Sequence, residues 1–210
     1  MTPAPLEVVI IRTGSANLAS VSAAFERLGA IPRITEDASL VASAPLVVLP
    51  GVGAFGAAME HLRNRGLDAS LRDRIANNRP LLAICLGMQV LCEASDESPG
   101  AEGLGIVPGR ITRFAASLRV PQMGWNSIAP TPAASLLRSD WMYFANSYRL
   151  AHVPDGWEGA RTDYDGDFAS ALERGPLLAC QFHPELSGAA GLTLIERWLS
   201  LAAAKESLPC

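Results

Sequence analysis

Short apolar runs alternate with helical patterns in the first half of the chain. The runs contain almost no polar residue, which is typical of strands buried on both faces of a sheet. They occupy Glu7–Ile11, Leu46–Leu49 and Leu81–Ile84. Between them, apolar residues recur every three or four positions, which predicts helices over 17–28, 54–65 and 68–77, besides a short helix over 39–44 and a strand over 31–34. This alternation predicts parallel strands with right-handed crossovers.

The pattern changes after residue 103, where glycine and proline break the apolar stretches. A helix is expected from 86 to about 94, before this change. The β-rich part has expected segments at 105–109 and 111–114, then strands at 141–145, 159–162, 168–173 and 177–182, and a final helix at 189–203. We interpret its middle as an insertion packed on the same sheet. Because no repeat or linker divides the chain, we expect one α/β domain over 1–210, with a core of about 6–204 and a mostly parallel sheet flanked by helices.

The composition agrees with a globular protein. Of 210 residues, 49% are apolar and 18% charged, and the net charge is -4. This balance is not that of a disordered chain or of a basic nucleic-acid-binding domain. No apolar run approaches the roughly 20 residues that cross a bilayer, and residues 1–5 lack the basic start of a signal peptide. We therefore expect a cytoplasmic protein that binds neither membrane nor nucleic acid.

One of the four cysteines stands where chemistry is favoured. Cys85 follows an apolar strand and precedes a helical pattern, so a tight turn would expose its sulfur and the N–H groups at the helix start would favour thiolate. Cys180 lies inside an apolar strand and is expected to be inert. Cys92 is expected in the core of the helix, and Cys210 ends the chain. Cysteines without paired spacing, with only three histidines, predict no metal site and no cofactor.

A cysteine nucleophile needs a base, and the three histidines differ in their surroundings. His61 lies in a polar helix segment and His152 begins a loop, so both are interpreted as surface residues. His183 ends an apolar strand, as Cys85 does, and Glu185 stands two residues further on. A carboxylate there can fix the imidazole tautomer and stabilise the imidazolium. The sequence therefore predicts Cys85, His183 and Glu185 as nucleophile, base and orienting acid.

A glycine-rich loop follows the third strand at the same expected edge of the sheet. Gly51 and Gly53 would let the backbone present N–H groups to a ligand or to an oxyanion. A plain turn is the other interpretation of this Pro-Gly segment.

These residues resemble a known family. Cys-Leu-Gly-Met-Gln at 85–89 and His-Pro-Glu at 183–185 resemble the triad-type, class I glutamine amidotransferases, whose fold is flavodoxin-like. More narrowly, the stretches at 13–18, 50–55, 123–126 and 181–188 look like the glutaminase subunit of imidazole glycerol phosphate synthase. The resemblance runs from about 8 to 199.

The resemblance implies a function and a set of roles. Glutamine would be hydrolysed at Cys85 to glutamate and ammonia. The ammonia would pass to a (β/α)8 cyclase subunit, which makes imidazole glycerol phosphate in histidine biosynthesis. The implied oxyanion donors are the N–H groups at Val52 and Leu86. The implied substrate-binding residues are Gly51, Gly53, Gln89, Glu97, Ser147 and Tyr148. The residues implied to face the cyclase in a heterodimer are Asn17, Met123, Trp125 and Asn126.

Four positions depart from the family's usual residues and keep alternatives open. Arg12 stands for an acid, Ala83 for a glycine before the nucleophile, and both Gln122 and Asn146 for histidines. None of them belongs to the triad. One alternative is an amidotransferase subunit of a different synthase, against which Gly-Trp-Asn at 124–126 argues. The other is a non-catalytic docking protein on the same fold, against which the intact triad argues.

Overall fold

Strands buried between helices form the centre of the molecule. The computed structural model describes residues 6–13 and 17–206, the last five of these by their backbone only. The predictions that fall on residues 14–16, and those for Cys210 and for residues 1–5, therefore lie outside the described residues. The strands are β1 (Glu7–Ile11), β2 (Ile31–Thr35), β3 (Leu46–Leu49), β4 (Leu81–Ile84), β5 (Ala94–Ser95), β6 (Arg110–Arg113), β7 (Gln122–Pro130), β8 (Asp140–Asn146), β9 (Tyr148–Leu150), β10 (Glu158–Asp163), β11 (Asp167–Arg174) and β12 (Leu177–Cys180).

Helices follow most strands of the first half, as the alternation predicts. They are α1 (Leu18–Arg27), α2 (Ala38–Ser43), α3 (Phe55–Asn64), α4 (Leu67–Ala76), α5 (Leu86–Gln89) and α6 (Gly188–Glu206), and Pro184–Leu186 forms a 3-10 turn. Asn17 and Asp37 cap α1 and α2 with side-chain oxygens, which satisfies amides at the helix starts. Among the residues that the structure describes, no helix combines the length and apolarity needed to cross a membrane.

The sheet has a parallel half and an antiparallel half. Its main path runs β2-β1-β3-β4-β12-β11-β10-β7-β8. The pairs from β2 to β12 are parallel, whereas β12, β11, β10, β7 and β8 pair antiparallel in turn. The α/β fold class is confirmed, with a mixed sheet. The β-rich part was expected to be an insertion packed on the sheet. Its strands β11, β10, β7 and β8 instead continue the same sheet beyond β12.

Alternate side chains of the central strands pack into two hydrophobic clusters, one on each side of the sheet. Val8 and Ile10 of β1 pack with the face that α1 and α6 cover, where Phe25 meets Trp198 edge to face. Val9 and Ile11 pack with the face that α3 and α4 cover. Burial on both faces explains why these strands have unbroken apolar sequences.

The helix after Cys85 is much shorter than expected. It ends at Gln89, and Ala94 belongs to β5 instead. The carbonyl groups of Val90 and Cys92 accept hydrogen bonds from Leu104 and Gly105 at 2.8 and 3.1 Å, so the returning chain replaces the next helical turn. Cys92 is in the core, as expected, but outside the helix.

A close approach by glycine permits this return of the chain. A Cβ on Gly103 would lie 2.1 Å from the carbonyl oxygen of Cys92. The expected β segment at 105–109 is also wrong. Gly105 and Gly109 have φ of 62° and 118°, which interrupt extended pairing until β6 begins at Arg110.

Candidate active site

Cys85 occupies a strained turn at the carboxyl end of β4. Its φ of 54° and ψ of -111° lie outside the regions that residues other than glycine usually adopt. Such conformations cost about 1–3 kcal/mol and cluster at functional sites. The turn brings the side chain to the edge of the sheet, where it is 7% exposed. The expected elbow is therefore present, and the small helix α5 begins directly after it.

Ala83 fits into the strand before this elbow. Its side chain is fully buried and belongs to the α3 and α4 face of the core. Its neighbours in the sheet are Leu49 of β3 and Ala179 of β12. The methyl group therefore packs as ordinary core, two residues away from Cys85.

His183 and Glu185 follow β12, the strand that pairs with β4. The His183 ring nitrogen Nδ1 lies 2.8 Å from Oε1 of Glu185. The backbone of His183 is also fixed, because its N–H donates to the Tyr143 carbonyl at 2.9 Å and its carbonyl accepts from Ser187 Oγ at 2.6 Å. With Nδ1 engaged by the acid, Nε2 is the nitrogen left to meet Cys85. The structure thus brings together all three residues that the sequence predicts as a triad.

The surroundings of His183 favour its charged form. Burial lowers the pKa of the imidazole, but hydrogen bonds to Cys85 and Glu185, with the negative charges of both groups, raise it overall to about 10. The Glu185 side chain is only 2% exposed, so the imidazolium also compensates a buried carboxylate. At neutral pH, His183 therefore holds a proton beside the sulfur.

A cavity of about 330 Å3 opens in front of Cys85 and His183. Most of the predicted site residues line it, namely Val52, Gly53, Leu86, Gln89, Glu97, Ser147 and Tyr148, and the structure adds Ala145 and Asn146. Gly51 is behind this lining, where a Cβ would lie 3.0 Å from Cβ of Leu86. These residues come from the loops after β3 and β5, from α5 directly after β4, and from the end of β8 and the start of β9, so the cavity forms where several strands end.

Glu97 is held at the cavity by the start of α3. Its Oε2 atom accepts a hydrogen bond from the Phe55 N–H at 2.7 Å. This contact anchors the carboxylate near the positive end of the helix. A carboxylate fixed through one oxygen can still accept from an ammonium group with the other.

Two buried glutamines connect the cavity to the sulfur. Gln89 Nε2 lies 3.2 Å from the Tyr148 carbonyl and 2.9 Å from Oε1 of Gln181. Gln181 Nε2 in turn lies 3.7 Å from Sγ of Cys85. Gln181 is not among the site residues predicted from the sequence, although it stands two residues before His183.

The two predicted oxyanion donors do not point to one place in this conformation. The Leu86 N–H donates to the Gly51 carbonyl at 3.3 Å. Because a trans peptide holds C=O and N–H on opposite sides, the Val52 N–H points away from Leu86. The oxyanion assignment stays a prediction, and it requires the 51–52 peptide to turn over.

The residues expected to face a partner lie at or near the surface. Met123 and Trp125 of β7 are 67% and 54% exposed. Trp125 packs edge to face on Tyr143 of β8, with ring centroids 6.2 Å apart. Asn126 donates to the Asp163 carbonyl, and Asn17 caps α1, so both also have roles within the chain.

Among the described residues, the other histidines and cysteines do not line the cavity in front of Cys85. The His61 ring contacts the Arg12 carbonyl at 3.0 Å, and His152 is exposed away from the cavity. Burial and the charge of Glu93 raise the pKa of Cys92 to about 12. Burial, with the charges of Glu185 and Glu173, raises the pKa of Cys180 well above its ordinary value. Both thiols stay protonated at neutral pH.

Comparisons with known proteins agree with the motifs. The family model described as glutamine amidotransferase class-I matches residues 14–199. The chain is 42% identical over 195 residues to imidazole glycerol phosphate synthase subunit HisH of Symbiobacterium thermophilum, covering 91% of this chain and 92% of the relative. It is 41% identical over 197 residues to the HisH subunit of Methanothermobacter thermautotrophicus, covering 92% and 98%. The resemblance found from the motifs is confirmed.

Solved structures support the fold. A glutamine amidotransferase superposes with a TM-score of 0.75 at 22% identity, covering 93% of this chain and 98% of its own. PurLQS from Thermotoga maritima superposes with a TM-score of 0.72 at 13% identity, covering 97% of this chain and 100% of its own. At sequence identities of 22% and 13%, these similarities are evidence for the fold only.

Proposed function

This chain belongs to the class-I glutamine amidotransferase family, and on that premise we propose that it is the glutaminase subunit of imidazole glycerol phosphate synthase in histidine biosynthesis. The relatives with this name share about two fifths of its residues over some nine tenths of its length. The observation that carries the chemistry is the hydrogen bond between the side chains of Cys85 and His183. Glu185 orients the His183 ring, because its Oε1 atom lies 2.8 Å from Nδ1.

The first half of the reaction forms a thioester. The Cys85 thiolate attacks the side-chain amide carbon of glutamine. As the carbon–nitrogen bond breaks, His183 gives its proton to the departing nitrogen, which leaves as ammonia. The glutamyl group is then joined to Cys85 through sulfur.

The second half releases glutamate. His183, now neutral, takes a proton from a water molecule that attacks the thioester carbon. The carbon–sulfur bond breaks, and thiolate and imidazolium are restored. Glu97 fits the ammonium group of the amino acid, because its carboxylate is fixed at the cavity through Phe55.

Oxyanion stabilisation requires a change at the glycine loop. The Leu86 N–H is engaged by the Gly51 carbonyl in this conformation. Turning the 51–52 peptide over frees the Leu86 donor and directs the Val52 N–H inward, so that two donors meet the developing charge. We expect this conformational step to limit the turnover of the isolated chain.

The partner in this proposal is a cyclase subunit that receives the ammonia. Exposed Met123 and Trp125 suit a surface that another protein covers. The proposed interface also includes Asn17 and Asn126. Ammonia released into bulk water is largely protonated at neutral pH and loses its nucleophilic lone pair, so a docked acceptor would use it more efficiently. A reduced catalytic thiol suits a cytoplasmic location.

The proposal is tested with the purified chain, alone and with its cyclase. The chain alone should hydrolyse glutamine slowly, and the cyclase should raise the rate. Cys85→Ala and His183→Asn should abolish glutamine turnover, whereas His152→Asn at an exposed site should not. The Cys85→Ala complex should still form product from ammonium salt.

Two results would contradict the proposal in different ways. Full glutamine turnover in Cys85→Ala would overturn the mechanism. Glutamine hydrolysis without any ammonia transfer to the cyclase would leave the mechanism intact and overturn the choice of partner.

A further inference from the structure

We propose that Gln181 is a hydrogen-bond donor to the sulfur of Cys85 and favours its thiolate form. Gln181 Nε2 lies 3.7 Å from Sγ, within the reach of an N–H···S hydrogen bond. This inference extends the proposed function and rests on it for the role of Cys85 as nucleophile.

The direction of the Gln181 amide is set by a chain of hydrogen bonds that begins at a carbonyl. The backbone oxygen of Tyr148 can only accept, so the Gln89 group that meets it must be its NH2 end. That same NH2 donates to Gln181, which must therefore present its oxygen to Gln89. The remaining end of the Gln181 amide, its NH2, then faces the sulfur.

Burial prevents the two amides from turning around. Gln181 is fully buried and Gln89 is 5% exposed, so water cannot readily replace a lost partner. Reversing Gln89 would place its oxygen against the oxygens of Tyr148 and Gln181. Reversing Gln181 would place its NH2 group against the NH2 group of Gln89, and either change leaves buried donors without acceptors. The backbone is fixed as well, because the Gln181 N–H donates to the Ser170 carbonyl at 2.9 Å.

The donor from Gln181 complements the charged groups around the nucleophile. The titratable groups facing Cys85 are His183, with Glu185 behind it, and Glu97 and Tyr148 across the cavity. His183 loses its proton to ammonia during the reaction and then no longer offers the sulfur a charged donor. A neutral amide keeps its N–H throughout, so it also stabilises the sulfur as it leaves the thioester.

The test measures how readily Cys85 ionises in the full chain. Iodoacetamide alkylates the thiolate, and mass spectrometry of the Cys85 peptide follows its rate across pH. The midpoint of this pH profile is the pH at which the alkylation rate is half of its maximum. Gln181→Met keeps a similar side-chain volume but lacks the N–H donor, and should raise this midpoint by about one pH unit. Gln181→Glu puts an acceptor against the sulfur and should move it further.

The matched control is another buried glutamine that does not contact the sulfur. Gln122 is 3% exposed, and Gln122→Met should leave the midpoint where it is. An unchanged midpoint in folded Gln181→Met, checked by its thermal unfolding, would overturn the proposal. If the Gln181 variants do not fold, Gln89→Met decides, because it frees the Gln181 amide and should raise the midpoint; no rise there also overturns it.

Alkylation needs neither glutamine nor the cyclase, so this result is independent of the turnover assays. If Gln181→Met shifts the midpoint but the unmodified chain with its cyclase has no glutaminase activity, the proposed function is contradicted and the role of Gln181 is kept. If the unmodified chain is active but Gln181→Met leaves the midpoint unchanged, the role of Gln181 is contradicted and the proposed function is kept.

Discussion

Gly87 packs against the carbonyl oxygen of Leu49 so closely that a Cβ at residue 87 would lie 1.9 Å from that oxygen. The contact joins the turn behind the nucleophile to the end of β3, from which the loop with Gly51 and Gly53 departs. This contact between backbone atoms therefore fixes the distance between the turn at Cys85 and the start of the expected oxyanion loop. Backbone atoms cannot move aside as the end of a flexible side chain can.

We predict that Gly87→Ala destabilises the protein by about 3 kcal/mol or more, because backbone must move to admit the methyl group. Urea unfolding measures this. Gly29→Ala separates the clash from ordinary backbone preference: Gly29 has φ of 77° but open space around its Cβ position. Its cost should be about 1 kcal/mol. Equal costs for the two variants would contradict the argument.

Glu185→Gln should lower glutamine turnover by about 100-fold or more, because the imidazolium loses its charged partner. The carboxylate raises the pKa of His183, so its removal should move the basic limb of the pH profile of kcat/KM to lower pH. Glu196→Gln, at an exposed position on α6, should leave both rate and profile unchanged. A lower rate with an unmoved limb would count against the assigned role.

The stability of the protein should depend on pH through His183. Its pKa rises from 6.5 to about 10 on folding, so the folded state binds the proton more tightly. The resulting stabilisation is present in full below about pH 6.5 and is lost as pH rises through about 10. Urea unfolding across this range should show a steeper loss for the unmodified chain than for His183→Gln, with His152→Gln following the unmodified chain. Parallel curves for His183→Gln and the unmodified chain would refute this.

Glu97→Gln should raise the KM for glutamine about tenfold or more and change kcat less, because it removes the charge that meets the substrate ammonium. The neighbouring carboxylate provides the control. Asp96 pairs with Arg110 at 2.5 Å on the surface, so Asp96→Asn should leave KM unchanged. A fall in kcat at constant KM in Glu97→Gln would assign this residue a different role.

The parts of the site that sequence reasoning found are those with local signals. Unbroken apolar runs located β3, β4 and β12, and the residues directly after such runs included Cys85 and the glycine loop. The helix after Cys85 was overextended because Val90 and Leu91 continue a helical apolar pattern, while the segment that replaces the helix lies more than ten residues further on. Gln181 was missed because its role depends on Gln89, which is distant in the sequence and reaches it only in the folded sheet.

The place of β12 in the sheet has a consequence for the making of the protein. This strand lies between β4 of the parallel half and β11 of the antiparallel half, and His183, the proposed base, follows three residues after its end. A chain released from the ribosome before residue 177 has the nucleophile but neither the base nor the strand that joins the two halves. Unfinished copies that end before β12 are therefore unable to consume glutamine, and activity requires that β12 and the residues directly after it have been made.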